Sequence, residues 1–283
     1  MEKPVSLSIA AAQRMQEAEK ESQRKVFVAY MQRYSGALQT FLTELVIALR
    51  NEIKFARVRD IIGPNAFFVD QLGTFTRKFT DYPTDAMAAR TQLGEKLLKE
   101  VYPNHTEITS LMTRFCRFLE GLGSHDLSVM REVLGMPKSC TGVSMHPPFF
   151  TATFEYENFA VCHKRGIDSV PRFDAHLQVY GACKTLKLEY DTPHIKGLPV
   201  KVVVDEKTAS GGYQSREILT TYEDAYTSEL KDLHACLTEG KEIKTSIEDA
   251  IEDLQIFQMI LKWAFPLKAY TGKRSLGTWH FVE

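Results

Sequence analysis

Apolar positions recur along this chain first with a helical period and later with an alternating one. Residues 8–23 are rich in Ala, Gln, Glu and Met and hold no Gly or Pro, which predicts a helix. Val26, Phe27, Val28, Ala29 and Tyr30 then read as a buried strand. Leu38, Phe41, Leu42, Leu45, Val46 and Leu49 fall at helical spacing within residues 35–50, and residues 53–62 alternate as a strand that stops at Gly63-Pro64-Asn65. Residues 63–82 follow no period and read as a loop crossing one face of the domain, a common position for binding residues. Two helical stretches come next, 85–101 and 106–134, the second expected to break near Gly121 and Gly123 and to close at Gly135-Met136-Pro137.

From residue 139 to 219 the period changes to two. About seven β-like segments are separated by turn signals such as Glu157-Asn158, Gly181-Ala182 and Gly211-Gly212. Their short connections imply a mainly antiparallel sheet, because parallel neighbours need long crossovers. Residues 222–239 and 246–265 are amphipathic helices, the latter with Ser246 and Asp249 placed as a capping-box relative. The pattern predicts an α+β fold: an open, mainly antiparallel β-sheet with helices on one face.

Composition narrows the partners. The 283 residues are 44% hydrophobic and 25% charged with a formal net charge of -1, so the chain has the make-up of an ordinary globular protein. No basic field exists to draw in nucleic acid or acidic lipid, and no apolar run is long enough to span a membrane or serve as a secretory core. The expected partner is a small-molecule substrate, with no nucleic acid and no membrane, in the cytoplasm. Cys116, Cys140, Cys162, Cys183 and Cys236 are odd in number and widely spaced, which argues against a disulfide framework and a zinc site. His163, His176 and His194 lack ligand-like spacing and read as structural histidines, so no metal is expected.

The tripeptide Glu2-Lys3-Pro4, the helix and strand after it, the stretch from Gly121 to Leu127 and the later sheet region resemble the Gfo/Idh/MocA oxidoreductase family, over most of the chain and with similarity to its fungal members. In that family a Rossmann domain precedes the Glu-Lys-Pro motif and carries the glycine loop for a dinucleotide. By this resemblance residues 1–34 are an αβ remnant of the dinucleotide-binding domain, 35–270 the C-terminal α+β domain and 271–283 a tail. Gly121-Leu122-Gly123 does not replace the missing loop, since the third fingerprint glycine falls at Asp126, whose carboxylate would repel a pyrophosphate. No cofactor is therefore expected, and NAD(P) only if a missing N-terminal domain is supplied. The resemblance also implies a homodimer, through the open sheet face or through the exposed first strand at residues 26–30.

The family pattern places Lys3 and His125 as the acid and base acting on a substrate hydroxyl. A histidine near neutral pH accepts the proton and a nearby cation makes the hydroxyl more acidic. The family's Asp one turn before the histidine is replaced here by Gly121, and Glu120 is turned away from the His125 face. As a residue close to the chain start Lys3 is weighed against plain solvation, and His125 against a core or capping role. Arg33 with Tyr34, Arg59 and Asp60 with Asn65, and Arg172 with Asp174 are candidate substrate contacts, each pair equally readable as a salt bridge. The function expected is that of a cofactor-independent lyase, isomerase or cyclase on a small oxygenated, possibly secondary, metabolite. The alternatives are the substrate half of an NAD(P)-dependent oxidoreductase and a non-catalytic dimeric binding module.

Overall fold

The computed structural model describes residues 1–48, 52–72, 75, 77–195 and 197–267, which excludes Leu49 and the 271–283 tail of the sequence reading. Helix α1 (Ile9–Ser22) is capped by Ser8, whose hydroxyl accepts from the Ala11 amide at 3.0 Å and donates to Glu100 at 2.5 Å. A short 3₁₀ turn, Met31–Tyr34, leads into α2 (Gly36–Ala48), and β1 (Phe55–Ile62) follows. The excursion contains one short helix, α3 (Asn65–Val69), before α4 (Ala86–Val101) and α5 (Ser110–Leu134).

Helix α5 runs unbroken through Gly121 and Gly123, contrary to the break expected there. Strong termini explain this: Thr109 accepts from the Met112 amide at 3.3 Å, and Gly135 ends the helix at φ +79°, a left-handed conformation that favours glycine. Between these ends the amphipathic face keeps its apolar side chains, among them Phe115, Leu119 and Leu127, buried in the core.

Seven strands then complete the sheet, as the alternation predicted: β2 (Ser139–His146), β3 (Phe149–Glu155), β4 (Ala160–Ile167), β5 (Phe173–Tyr180), β6 (Lys184–Tyr190), β7 (Lys201–Lys207) and β8 (Tyr213–Ile218). The order is β2-β3-β4-β1-β5-β6-β7-β8, and all neighbours are antiparallel except β1 with β4. That parallel pair is possible because three helices and a hairpin separate its strands in sequence. The register aligns Val58 with His163 and Leu177, and Asp60 with Arg165 and Ala175, on the face packed against the helices. Arg57, Arg59, Lys164 and Gln178 point to the other face.

Two helices close the chain, α6 (Ala225–Thr238), capped by Asp224, and α7 (Ile247–Ala264). Ser246 accepts from the Asp249 amide at 3.2 Å, but the Asp249 carboxylate turns to Arg33 and Arg131 instead of closing a reciprocal box. Helices α2, α5 and α7 lie over the sheet, where each fully buried Leu or Phe stabilises the fold by about 1.5–3 kcal/mol.

The first 34 residues are part of this core: Val5, Ala12, Val28 and Tyr30 belong to the same buried cluster as Leu188 and Phe257. Residues 26–30 are not an exposed strand. They run extended with one bridge, Glu2 to Ala29; the Ala29 amide donates to the Met1 carbonyl at 2.8 Å and the Val28 amide to Thr245 at 2.9 Å. Phe27, Val28 and Tyr30 are buried, so the segment's apolar side chains are covered within the chain and offer no free edge to a partner.

Candidate active site

A cavity of about 280 Å³ opens between α5, the helix-facing side of β1, β5 and β6, and the N-terminal segment. Lys3, Gln32, Asp60, Asn65, His125, Asp126, Tyr190 and His194 supply its polar lining, with Ile62, Leu122, Phe173 and Tyr226 among the apolar walls. A small concave space with few convergent polar groups is the usual form of a small-molecule site.

The chain start is fixed here by its backbone. The terminal amine donates to the Phe27 carbonyl at 2.6 Å, and the Lys3 ammonium donates to the Gly121 carbonyl of α5. Lys3 is thus tied down, not a solvated end. Burial, reinforced by the Arg165 charge, brings its pKa down to about 8.

His125 faces the cavity from the next turn of α5. Burial, then the charges of Lys3 and Arg165, lower its pKa to about 3, so the ring is a neutral imidazole at physiological pH. Its Nδ1 is buried without a hydrogen-bond partner, consistent with the absence of a carboxylate one turn earlier. Glu120 does not fill that role: it is buried and receives the Cys116 thiol at 3.4 Å.

Beneath the cavity lies a buried charge cluster. Arg165 donates from Nη2 to Asp60 at 2.6 Å and from Nη1 to Asp126 at 2.7 Å, and His163 Nε2 donates to the second Asp126 oxygen at 2.5 Å. Burial opposes ionisation of Asp126, but Arg165 and His163 overcome it and hold the carboxyl down at about 2. At Asp60 burial prevails over Arg165, with the Asp126 charge adding to it, and the carboxyl rises to about 6. The Tyr190 hydroxyl is buried without a partner, and burial beside these carboxylates raises its pKa.

Of the sequence-predicted residues, Lys3, Asp60, Asn65 and His125 meet in the cavity. The others are engaged elsewhere. Arg33 is buried and donates to Glu132 at 2.5 Å and to Asp249 at 3.1 Å, in a network that also holds Arg131. Tyr34 shares a hydrogen bond with Thr245 at 2.6 Å. Arg59 pairs with Asp174 on the opposite sheet face, because alternation that turns Asp60 into the cavity turns Arg59 away. Arg172 pairs with Asp168 at 3.0 Å, four residues earlier. Each of these calls met a salt bridge or a core hydrogen bond rather than the cavity.

The sequence reading assigned no role to Arg165 or Tyr190, and treated Asp126 only as an obstacle to a phosphate. A signal existed in β4: Val161, His163 and Arg165 alternate with Cys162 and Lys164, which puts a cation on the face a core needs apolar. Gly123 belongs to the same arrangement. A Cβ there would lie 2.8 Å from Arg165 Nη1, so the missing side chain makes room for the guanidinium. Gly121 and Gly123 sit inside a continuous helix, where they form no strand-to-helix turn, and among the described residues no Gly-x-Gly-x-x-Gly run exists. The described residues therefore offer no glycine turn of that kind for a pyrophosphate. They also contain no group of three or more His, Cys, Asp or Glu able to hold a metal ion, and no helix long and apolar enough to cross a membrane.

The fold is an open, mostly antiparallel sheet with helices on one face and the cavity between them. The profile described as "Oxidoreductase family, C-terminal alpha/beta domain" matches residues 116–266, and the chain belongs to this Gfo/Idh/MocA family. Solved structures share the fold at low identity. An oxidoreductase from Thermotoga maritima is 18% identical over 93% of this chain and 68% of its own, with a TM-score of 0.59. An oxidoreductase from Agrobacterium radiobacter, solved with NAD+, L-tartaric acid and magnesium, is 13% identical over 92% and 68%, with a TM-score of 0.55. The UDP-N-acetylglucosamine 3-dehydrogenase GnnA from Acidithiobacillus ferrooxidans is 10% identical over 93% and 69%, with a TM-score of 0.56. No curated protein sequence matches the chain.

Proposed function

We propose that this protein is a small-molecule enzyme of dehydrogenase ancestry that moves protons on an oxygenated metabolite without a redox cofactor. The observation that carries this reading is the meeting of Lys3 and His125, from opposite regions of the sequence, in one cavity. Neutral His125 is ready to accept a proton from carbon beside a carbonyl, and the Lys3 ammonium polarises the carbonyl oxygen as charge develops on it. Negative charge on that oxygen also offsets the cations that make His125 a weak base in the empty site. Isomerisation and elimination both begin with this enolisation, which ties the reading to an isomerase or lyase.

The test is deuterium incorporation from D₂O into small hydroxyketones, with dihydroxyacetone and erythrulose as probes, followed by proton NMR. Wild-type protein is expected to catalyse exchange that His125→Ala abolishes and Lys3→Met slows. Equal rates with and without protein would sink the reading. Family membership favours a second reading, in which the same pair serves hydride transfer with NAD(P) held by polypeptide outside the described residues. Calorimetric titration with NAD⁺, NADH and their phosphorylated forms separates the two, because a ligand bound only by the native state must raise its stability. We also propose a homodimer through the open sheet face, supported by the exposure of Thr151, Thr153 and Lys164, over which no helix lies among the described residues. Sedimentation equilibrium returning only a monomer would refute that part.

A further inference from the structure

We propose that Asp60 is the second proton-exchanging group of the cavity, donating from the sheet to the oxygen of the same substrate whose carbon-bound proton His125 removes from the helix side. This rests on the proton-transfer reading above and names its acid. The geometry supplies the reason. Two buried carboxylates, Asp60 and Asp126, share one guanidinium, so the one with fewer further partners is the natural place for a proton. Asp126 has the stronger claim to stay ionised, since it accepts from both Arg165 and His163. Asp60 accepts from Arg165 at one oxygen, lines the cavity and is 5% exposed, so it is the carboxyl that holds the proton where a ligand meets it.

The groups that face Asp60 are Arg165 and His163 from β4, Asp126 and His125 from α5, Lys3 from the N-terminal segment and Tyr190 from β6. Burial outweighs the cations among them and brings the Asp60 carboxyl to about 6, within reach of neutral pH. In the exchange, His125 takes the carbon-bound proton, that electron pair becomes the carbon–carbon double bond of an enediol, and the carbonyl oxygen takes the Asp60 proton. The return step gives the His125 proton to the neighbouring carbon and the second hydroxyl proton to Asp60, so nothing is oxidised or reduced overall. Asp60 is left as a carboxylate paired with Arg165 in between.

The experiment uses the full chain with ¹³C-labelled aspartate carboxyls, titrated by NMR. The Asp60 signal is assigned by its disappearance in Asp60→Asn, or in Asp60→Glu if the first variant does not fold. A midpoint near 6 is expected, together with a loss of at least about 10²-fold in deuterium exchange for Asp60→Asn and partial retention in Asp60→Glu. A midpoint in the ordinary aspartate range, or Asp60→Asn exchanging as fast as wild type, overturns the proposal. Wild-type exchange that survives His125→Ala, alongside an Asp60 midpoint near 6 and a slow Asp60→Asn variant, overturns the His125 base and leaves Asp60 standing.

Discussion

Gly121 and Gly123 stand two residues apart in one helix, yet alanine at these positions should change stability in opposite directions. In a helix interior, glycine is about 0.5–1 kcal/mol less favourable than alanine because it loses more backbone freedom on folding. A Cβ at Gly121 meets nothing within 4 Å, so Gly121→Ala should stabilise by about that amount. At Gly123 the new carbon would lie 2.8 Å from Arg165 Nη1, which must retreat by about half an ångström or more to reach ordinary van der Waals contact. That nitrogen is held by its 2.7 Å bond to buried Asp126, and a retreat of that size takes the bond to the edge of hydrogen-bonding range. Losing a hydrogen bond between charged groups costs about 1.5–3 kcal/mol, so after the helical gain Gly123→Ala should destabilise by about 1–2 kcal/mol. Urea unfolding with an unchanged m-value reads both numbers as shifts in midpoint. Two variants moving in the same direction would refute the placement of Arg165 against α5.

Acid stability should report on His125. Its folded pKa of about 3 lies below the ordinary value, so between roughly pH 6.5 and 3 the unfolded chain binds a proton that the folded one refuses, and stability falls as pH drops through that window. His125→Gln should lower the difference in unfolding free energy between pH 7 and pH 5 relative to wild type, while the contributions of His176, lowered to about 4 chiefly by burial, and of Asp60, raised to about 6 by burial and opposite in sign, are common to both proteins; an identical difference in the two would contradict a buried neutral His125. Arg33→Met should destabilise by about 2 kcal/mol, below the roughly 3–5 kcal/mol of a fully broken buried pair, since Lys244 still contacts Glu132 at 2.8 Å and Arg131 still contacts Asp249 at 3.0 Å. The same variant should leave ligand binding at the cavity unchanged in calorimetry, and a loss of binding would return Arg33 to the site.

The elements of this fold were legible in the sequence because each is recorded locally. Period-two alternation located the seven strands after residue 139, the Ser246 cap marked the start of α7, and Gly135-Met136-Pro137 marked the end of α5. Lys3 and His125 were singled out by their resemblance to family motifs, and the fold brings both to the wall of one cavity. Local pattern misjudged two places for a shared reason. Residues 26–30 have strand composition, and Gly121 with Gly123 look like a helix break, but tertiary contacts decide both: Met1 and Thr245 occupy the backbone of the first, and the sheet packs against the second. The charged candidates divided in the same way. Nothing local distinguishes Arg59 from Asp60 as a site residue, because both are polar and adjacent. Only the register of β1 between β4 and β5 turns Asp60 toward Arg165 and leaves Arg59 on the far face with Asp174. A charge on a core-facing strand position is tolerated only when distant partners neutralise it, and those partners come together only in the folded chain.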